Sequence, residues 1–194
     1  SLTADNGYKG NTTISEGTLA ISRSGSLGSG TDIKIENGAT LKTNQNVTIT
    51  QNVTIDTHET ANINTGGKNS VLQGQVIGGI LQKTGDGSLT LNNTNNTQQE
   101  TVLDGGLLII KDNAIGDKNS LGAGQITIKS GTLQTNNDMT IANSITTVGT
   151  AGGSINTAGH DVTVNGQVTG SGRLVKTGGG TLTLTNTTND YDVG

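Results

Sequence analysis

Two stretches of the chain share one eleven-residue pattern, and their spacing constrains the fold more than any other feature. The pattern is L-x-K-T-G-x-G-[ST]-L-T-L, which occurs at 81–91 and again at 174–184. Eight of the eleven positions are identical, and the central lysines, Lys83 and Lys176, are 93 positions apart (176 minus 83). Similarity at a fixed spacing is the signature of a repeat architecture. The chain is therefore expected to consist of copies of one structural unit.

The internal similarity extends well beyond the shared motif. Segment 12–19 matches segment 101–108 at an offset of 89, and Ile33 and Ile35 match Ile126 and Ile128 at an offset of 93. We interpret the chain as one β-helical unit made of about two repeats, roughly 6–98 and 99–188. Because it starts and stops inside repeats, we expect it to be an excised part of a longer protein.

Short runs of alternating residues occur along the whole chain. Val, Ile and Leu alternate with Thr, Asn and Lys over a few residues, and Gly or Asn-Gly separates the runs. Aromatic residues make up 1% of the 194 residues, so the core has to be narrow and aliphatic. This pattern favours an all-β fold of the β-helix (β-solenoid) type. At roughly 20 residues per coil, the chain would form about ten coils.

Two other outcomes stay open at this point. A β-sandwich also consists of alternating strands, and an Asn/Thr-rich chain with unpaired strands could instead aggregate. The regular turns and the long-range repeat favour the ordered stack over both.

Composition argues against several functions. The formal net charge is −4 and the 11 Lys and Arg residues are scattered, so we expect no nucleic-acid partner. There is no cysteine, and the two histidines, His58 and His160, lie in polar stretches interpreted as solvated loops. Zinc sites need three or four ligands, for which too few candidates are present. The Gly85–Ser88 stretch has the wrong order for a serine protease turn. We therefore predict no catalytic residue, no metal site, no cofactor and no enzyme activity.

The motif and its flanking residues resemble the passenger-associated transport repeat of bacterial autotransporters. In that repeat the pattern continues through polar residues into Y-x-G-x-T-x-I-x-x-G-x-L, which segment 8–19 matches and which Tyr191 begins again. The middle copy departs from the pattern, because Gln98 or a near neighbour stands where Tyr is expected, and we expect a looser turn there. The residues assigned to the repeat motif are Leu81, Lys83, Thr84, Gly85, Gly87, Leu89, Leu91, Leu174, Lys176, Thr177, Gly178, Gly180, Leu182, Leu184, Tyr8 and Tyr191.

The resemblance implies a right-handed parallel β-helix within a passenger that is displayed on the bacterial surface or secreted through the periplasm and outer membrane. It implies two partners, a C-terminal β-barrel translocator of the same protein and the outer-membrane assembly machinery. We expect a rigid stalk that aids its own translocation by folding progressively. The alternative is an adhesin or signalling effector that binds host receptors or extracellular matrix through the side of the rod. Lys83 and Lys176 are expected to be turn residues that face outward.

Overall fold

The structure, a computed structural model, describes residues 1–111 and 120–191 and is a parallel β-solenoid. All strand pairings given by the described residues are parallel. The first ten strands are β1 (Thr12–Ile14), β2 (Thr18–Ile21), β3 (Asp32–Ile35), β4 (Thr40–Thr43), β5 (Val47–Ile49), β6 (Asn52–Asn64), β7 (Ser70–Leu72), β8 (Val76–Thr84), β9 (Ser88–Leu91) and β10 (Thr97–Ile110).

The second half of the solenoid repeats this arrangement. Its strands are β11 (Gln125–Thr135), β12 (Met139–Ile141), β13 (Ile145–Thr147), β14 (Gly153–Asn156), β15 (Val162–Val164), β16 (Val168–Gly170), β17 (Leu174–Thr177), β18 (Leu182–Leu184) and β19 (Asp190–Tyr191). One short 3-10 helix, Ser24–Leu27, precedes β3. Among the described residues, no helix has the length and apolar character needed to span a membrane.

Each coil has three walls, which we call faces 1, 2 and 3. Face 1 begins with β1 and β3, face 2 with β2 and β4, and face 3 with β5, β7 and β9. The long strands β6, β8, β10 and β11 bend around corners and contribute to more than one face. The alternation in the sequence explains the walls, because one set of side chains points into the narrow interior while the other set points out.

The solenoid has about eight turns, so the expected ten coils were too many. Coil length varies, since Ile126 pairs with Ile145 19 positions later, whereas Thr101 pairs with Ile126 25 positions later. The prediction assumed about 20 residues throughout and did not allow for longer corners and bulges. One such bulge lies in β6, where the pairing register with β8 shifts between Ile55 and Thr60.

The two sequence repeats lie on different faces of the rod. Ile33 and Ile35 are in β3 on face 1, whereas the matching Ile126 and Ile128 pair with the part of β10 that continues face 2. From β1 to the matching segment 101–103, the chain passes along thirteen successive walls, including that of the 3-10 helix. With three walls to a coil, this is four coils and one extra wall. The second repeat is therefore rotated by one face relative to the first.

The interior is mostly aliphatic, and four of its buried hydroxyl groups lie at corners. Ile, Leu and Val side chains from all three faces form one continuous cluster of buried residues. Thr43, Thr65, Thr135 and Thr157 are also fully buried, and each stands at the inner side of a corner. A buried hydroxyl needs a hydrogen-bond partner, and these threonines find theirs in the neighbouring coil.

Candidate functional site

Lys83 lies inside the solenoid, which corrects the prediction that it faces outward. Its side chain is fully buried, and it is among the largest fully buried side chains of the described residues. The reason is the alternation of β8, where Leu81 points inward, Gln82 outward and Lys83 inward. Lys83 pairs with Ile63 in the coil below and with Leu103 in the coil above. Its aliphatic stem therefore continues a column of core residues.

The ammonium group of Lys83 is held by three backbone carbonyl groups. Nζ donates to the carbonyl oxygens of Thr84 at 3.1 Å and Gly85 at 2.6 Å, both in its own turn. It also donates to the carbonyl oxygen of Gly105, in the coil above, at 3.1 Å. Burial lowers the pKa of Lys83 from 10.5 to about 8, and the nearby charge of Asp86 opposes that shift. Among the described residues, no carboxylate forms an ion pair with this ammonium.

Lys83 completes a ladder of hydrogen-bond donors along one corner. The Thr43 hydroxyl donates to the Thr65 carbonyl at 3.5 Å, and the Thr65 hydroxyl donates to the Thr84 carbonyl at 3.4 Å. The next corner position is Gly85, which has no side chain. The long Lys83 side chain supplies donors at that place, and we call this site the threonine–lysine corner.

The second copy of the motif builds the same corner around Lys176. Nζ of Lys176 donates to the carbonyl oxygens of Thr177 at 3.3 Å and Gly178 at 2.6 Å, and to the Thr157 hydroxyl at 3.0 Å. The Thr135 hydroxyl donates to the Thr157 carbonyl at 3.5 Å, as the ladder in the first copy does. Lys176 is exposed, because none of the described strands pairs with β17 on its other side. Lys176 and Lys83 make equivalent contacts within their own turns, and they differ in whether a further strand covers them.

Two glycines of the motif are required for different reasons. Gly85 and Gly178 have φ of 79° and 76°, in the left-handed region that favours glycine. Gly87 and Gly180 lie so close to the coil below that a Cβ atom would overlap the carbonyl oxygens of Lys68 and His160, respectively. The turn can therefore stack on its neighbour only with glycine at these positions.

The motif leucines belong to the core. Leu81, Leu89 and Leu91 are fully buried. In the second copy, the corresponding residues are partly buried and pack against the same cluster: Leu174, Leu182 and Leu184.

The tyrosine position of the motif is a packing site in the first copy. Tyr8 is 37% exposed, and its ring lies against Gly28, where an added Cβ would be 3.0 Å from the ring.

Gln98 occupies the same register as Tyr191, because Gln98 pairs with Gly78 and Tyr191 pairs with Gly170. The looser turn at Gln98 stays a prediction. This side chain is fully buried, and its amide donates to Thr101 Oγ1 at 3.0 Å and to the Ser120 carbonyl at 3.3 Å.

The histidines lie apart from each other, and both are at least partly accessible to solvent. His58 is in the β6 bulge with φ of 67°, and its N–H donates to Oε1 of Gln99 at 3.3 Å. His160 Nδ1 lies 3.4 Å from Oδ1 of Asp138. Within residues 1–111 and 120–191, no group of three or more His, Cys, Asp and Glu side chains is arranged to hold a metal ion.

Sequence reasoning missed the contact between Lys83 and Gly105. The inward direction of Lys83 could have been predicted, because counting alternate residues from Leu81 places Lys83 on the inward side. Its acceptor, Gly105, could not, since pairing Gly105 with this corner requires the coil length, which varies from coil to coil.

Comparison with known proteins relates three segments of the chain to one family. Residues 1–21, 81–110 and 174–192 match the passenger-associated-transport-repeat family. These matches support a fragment of an autotransporter passenger. The matched segments contain both K-T-G-x-G turns and the Gly105 corner that covers Lys83. The passenger family implies a location at the cell surface or secretion.

A curated relative belongs to the same class of proteins. The chain is 39% identical over 99 residues to the Adhesin BmaC autotransporter of Brucella suis biovar 1 (strain 1330). The match covers 50% of this chain and 3% of that much longer protein. No solved structure matches the chain.

The two adjacent glycines of the second motif offer a matched test of close stacking. Gly180→Ala places a Cβ atom on the His160 carbonyl at φ of 78°, and should destabilise the coil by about 1–3 kcal/mol. In Gly179→Ala the nearest atom would be 3.5 Å away, so stability should change by less than about 1 kcal/mol. Hydrogen exchange of the β17 and β18 amides measures both effects. Equal losses of protection in the two variants would contradict the stacking argument.

Lys83 should make the stability of the chain depend on pH. Its folded pKa of about 8 lies below its ordinary value of 10.5, so the unfolded chain binds the proton more tightly. The cost of burying the charge is fully present below pH 8 and is relieved as the pH rises towards 10.5. The free energy of unfolding should therefore rise between about pH 7 and pH 9.5, by at most about 3 kcal/mol. Urea denaturation measures it, and Lys83→Met should remove most of the rise, whereas Lys176→Met should keep it.

Proposed function

We propose that this passenger chain is a non-enzymatic stalk that aids its own translocation by folding coil by coil. The observation that carries this proposal is the short sequence distance between stacked partners. Thr12 pairs with Ile33, and Ile33 pairs with Val53, so each coil finds its partner about one coil length away. Contacts between neighbouring coils form without long-range closure. A chain that emerges end first can therefore add coils in sequence.

The interior of the rod suits this route. The chain has no cysteine, so its fold forms without disulfides. Its buried hydroxyls are paired with carbonyls in adjacent coils, as at Thr43 and Thr135. Each added coil therefore supplies carbonyl partners for these hydroxyl groups of the coil before it, and this would oppose back-sliding. The partners in this step are the translocator of the same protein and the outer-membrane assembly machinery.

Two deletions in the full-length protein test the proposal. Deleting residues 174–184 removes about half a coil and breaks the stacking register, so surface display should fall severalfold. Deleting residues 146–168 removes one whole coil, because Ile145 pairs with Val168, and leaves the remaining strands in register. Display of that shorter protein should be close to normal. Flow cytometry with an epitope tag measures display, and unchanged display after the first deletion would rule out the translocation role.

A second candidate function is adhesion, and the relative named as an adhesin favours it. In this case the outward side chains of the rod would bind a host receptor or extracellular matrix. Solenoids offer long ridged surfaces for such contacts. The purified chain should then bind host cells saturably, with competition by unlabelled chain. Binding that does not saturate would remove this candidate and leave the stalk proposal unaffected.

A further inference from the structure

The threonine–lysine corner of the first repeat brings together two parts of the motif that are separate in the sequence. The lower part is the K-T-G-x-G turn at 83–87, and the upper part is the corner at Gly105 and Gly106 in the next coil. A Cβ atom on Gly106 would overlap the carbonyl oxygens of both Gly85 and Gly87. The two turns are therefore in direct backbone contact, with the Lys83 ammonium between them.

The Gly105 carbonyl is specific to this corner. Gly105 and Gly106 have φ of 116° and 66°, so two successive residues adopt conformations that favour glycine. The pairing of β10 with β11 also shifts register on both sides of Asp104. Carbonyls in the extended parts of β10 take part in the ladders with the strands above and below. The bend at Gly105 instead leaves a carbonyl that accepts from Lys83.

The two copies of the motif present the lysine in two environments. At Lys176 the ammonium is exposed, and it is held by two carbonyls of its own turn and the Thr157 hydroxyl. At Lys83 the corresponding carbonyls of Thr84 and Gly85 accept, but the third acceptor is the carbonyl of Gly105 in the covering coil. In the part of the chain that the structure describes, the turn at Lys176 has these contacts with no strand above β17. Docking of the next coil is the event that removes water from the ammonium.

We propose that Lys83 selects the register in which the next coil docks. In the native register, the ammonium exchanges water for the Gly105 carbonyl. A slip of β10 by two residues would keep the inward and outward alternation, so the hydrophobic pattern opposes it only weakly. Such a slip would bury the ammonium without its third acceptor, and an uncompensated buried charge is strongly unfavourable. The lysine therefore acts mainly against wrong registers, as a specificity element and not as a source of net stability.

This inference rests on the proposed coil-by-coil folding, but its test uses the purified chain and no secretion. Because the chain has no cysteine, an introduced pair reports one register without competition. Thr90→Cys with Ile109→Cys joins residues that are partners in the native register. Thr90→Cys with Leu107→Cys joins residues that become partners only after a slip of two. After rapid oxidative refolding, mass spectrometry gives the yield of each disulfide.

We expect the slipped disulfide to be rare in the parent chain and to increase roughly tenfold or more with Lys83→Met. Lys176→Met is the matched control, since it removes an exposed ammonium from the same motif, and it should leave the yields unchanged. An unchanged yield of the slipped disulfide in Lys83→Met would overturn the proposal. So would an equal increase with Lys176→Met.

A second measurement needs no substitution at Lys83 and covers the case in which Lys83→Met fails to fold. Above its lowered pKa of about 8, Lys83 is neutral, and a slipped coil no longer buries a charge. The ratio of slipped to native disulfide should therefore be higher after refolding at about pH 9.5 than at about pH 7. The charged residues placed next to this turn are Asp86 within it, Lys68 against Gly87 in the turn below, and Asp104, which pairs with Thr84, in the coil above. Asp86→Asn and Asp104→Asn should keep the change, and a ratio that does not vary with pH would count against the proposal.

The two tests fail separately. If the slipped disulfide increases but deletion of residues 174–184 leaves display unchanged, then register selection is real and the translocation role is wrong. If display falls but the slipped disulfide stays rare, then coil-by-coil folding stands and Lys83 has no part in register selection.

Discussion

Hydrogen bonding between successive coils is the interaction on which the whole structure depends. Within the described ranges, each short strand pairs only with strands of the coil below and the coil above. The aliphatic columns are a consequence of this pairing, because parallel strands in register place like side chains above one another. A coil without neighbours would have neither its hydrogen bonds nor its core. The stability of the rod is therefore the sum of many contacts, each of which joins neighbouring coils.

The corners add a second layer of specificity to this stack. Walls made of alternating Val, Ile and Leu are similar to one another, so they distinguish poorly between one register and the next. Corners are different, since their glycines, threonines and lysines fit only one neighbour. Gly87 has to lie against the Lys68 carbonyl, and Lys83 has to meet Gly105. The family motif is concentrated at these corners, which is where a repetitive fold most needs individual contacts.

The sequence predicted the fold class well and the corners poorly. Alternation of period 2 and the long-range repeat identified a β-solenoid, because both follow directly from wall geometry. The number of coils was overestimated, because the residues added in corners and in the β6 bulge have no periodic signature. Lys83 was assigned to the outside because a charged side chain beside glycines usually lies in water. The alternation that begins at Leu81 contradicted that assumption, and the acceptor at Gly105 could be identified only from the three-dimensional register.

The extra wall in each repeat gives the rod a screw symmetry that its sequence does not reveal. Since one repeat corresponds to four coils and one wall, a feature of the first repeat reappears one third of a turn around the axis in the second. Lys83 ends face 2, whereas Lys176 ends face 3. Three such repeats would be needed before the same feature returned to the same side. A flat partner lying along one flank would therefore meet three different surfaces in turn, and only a partner that winds around the rod could follow a single one.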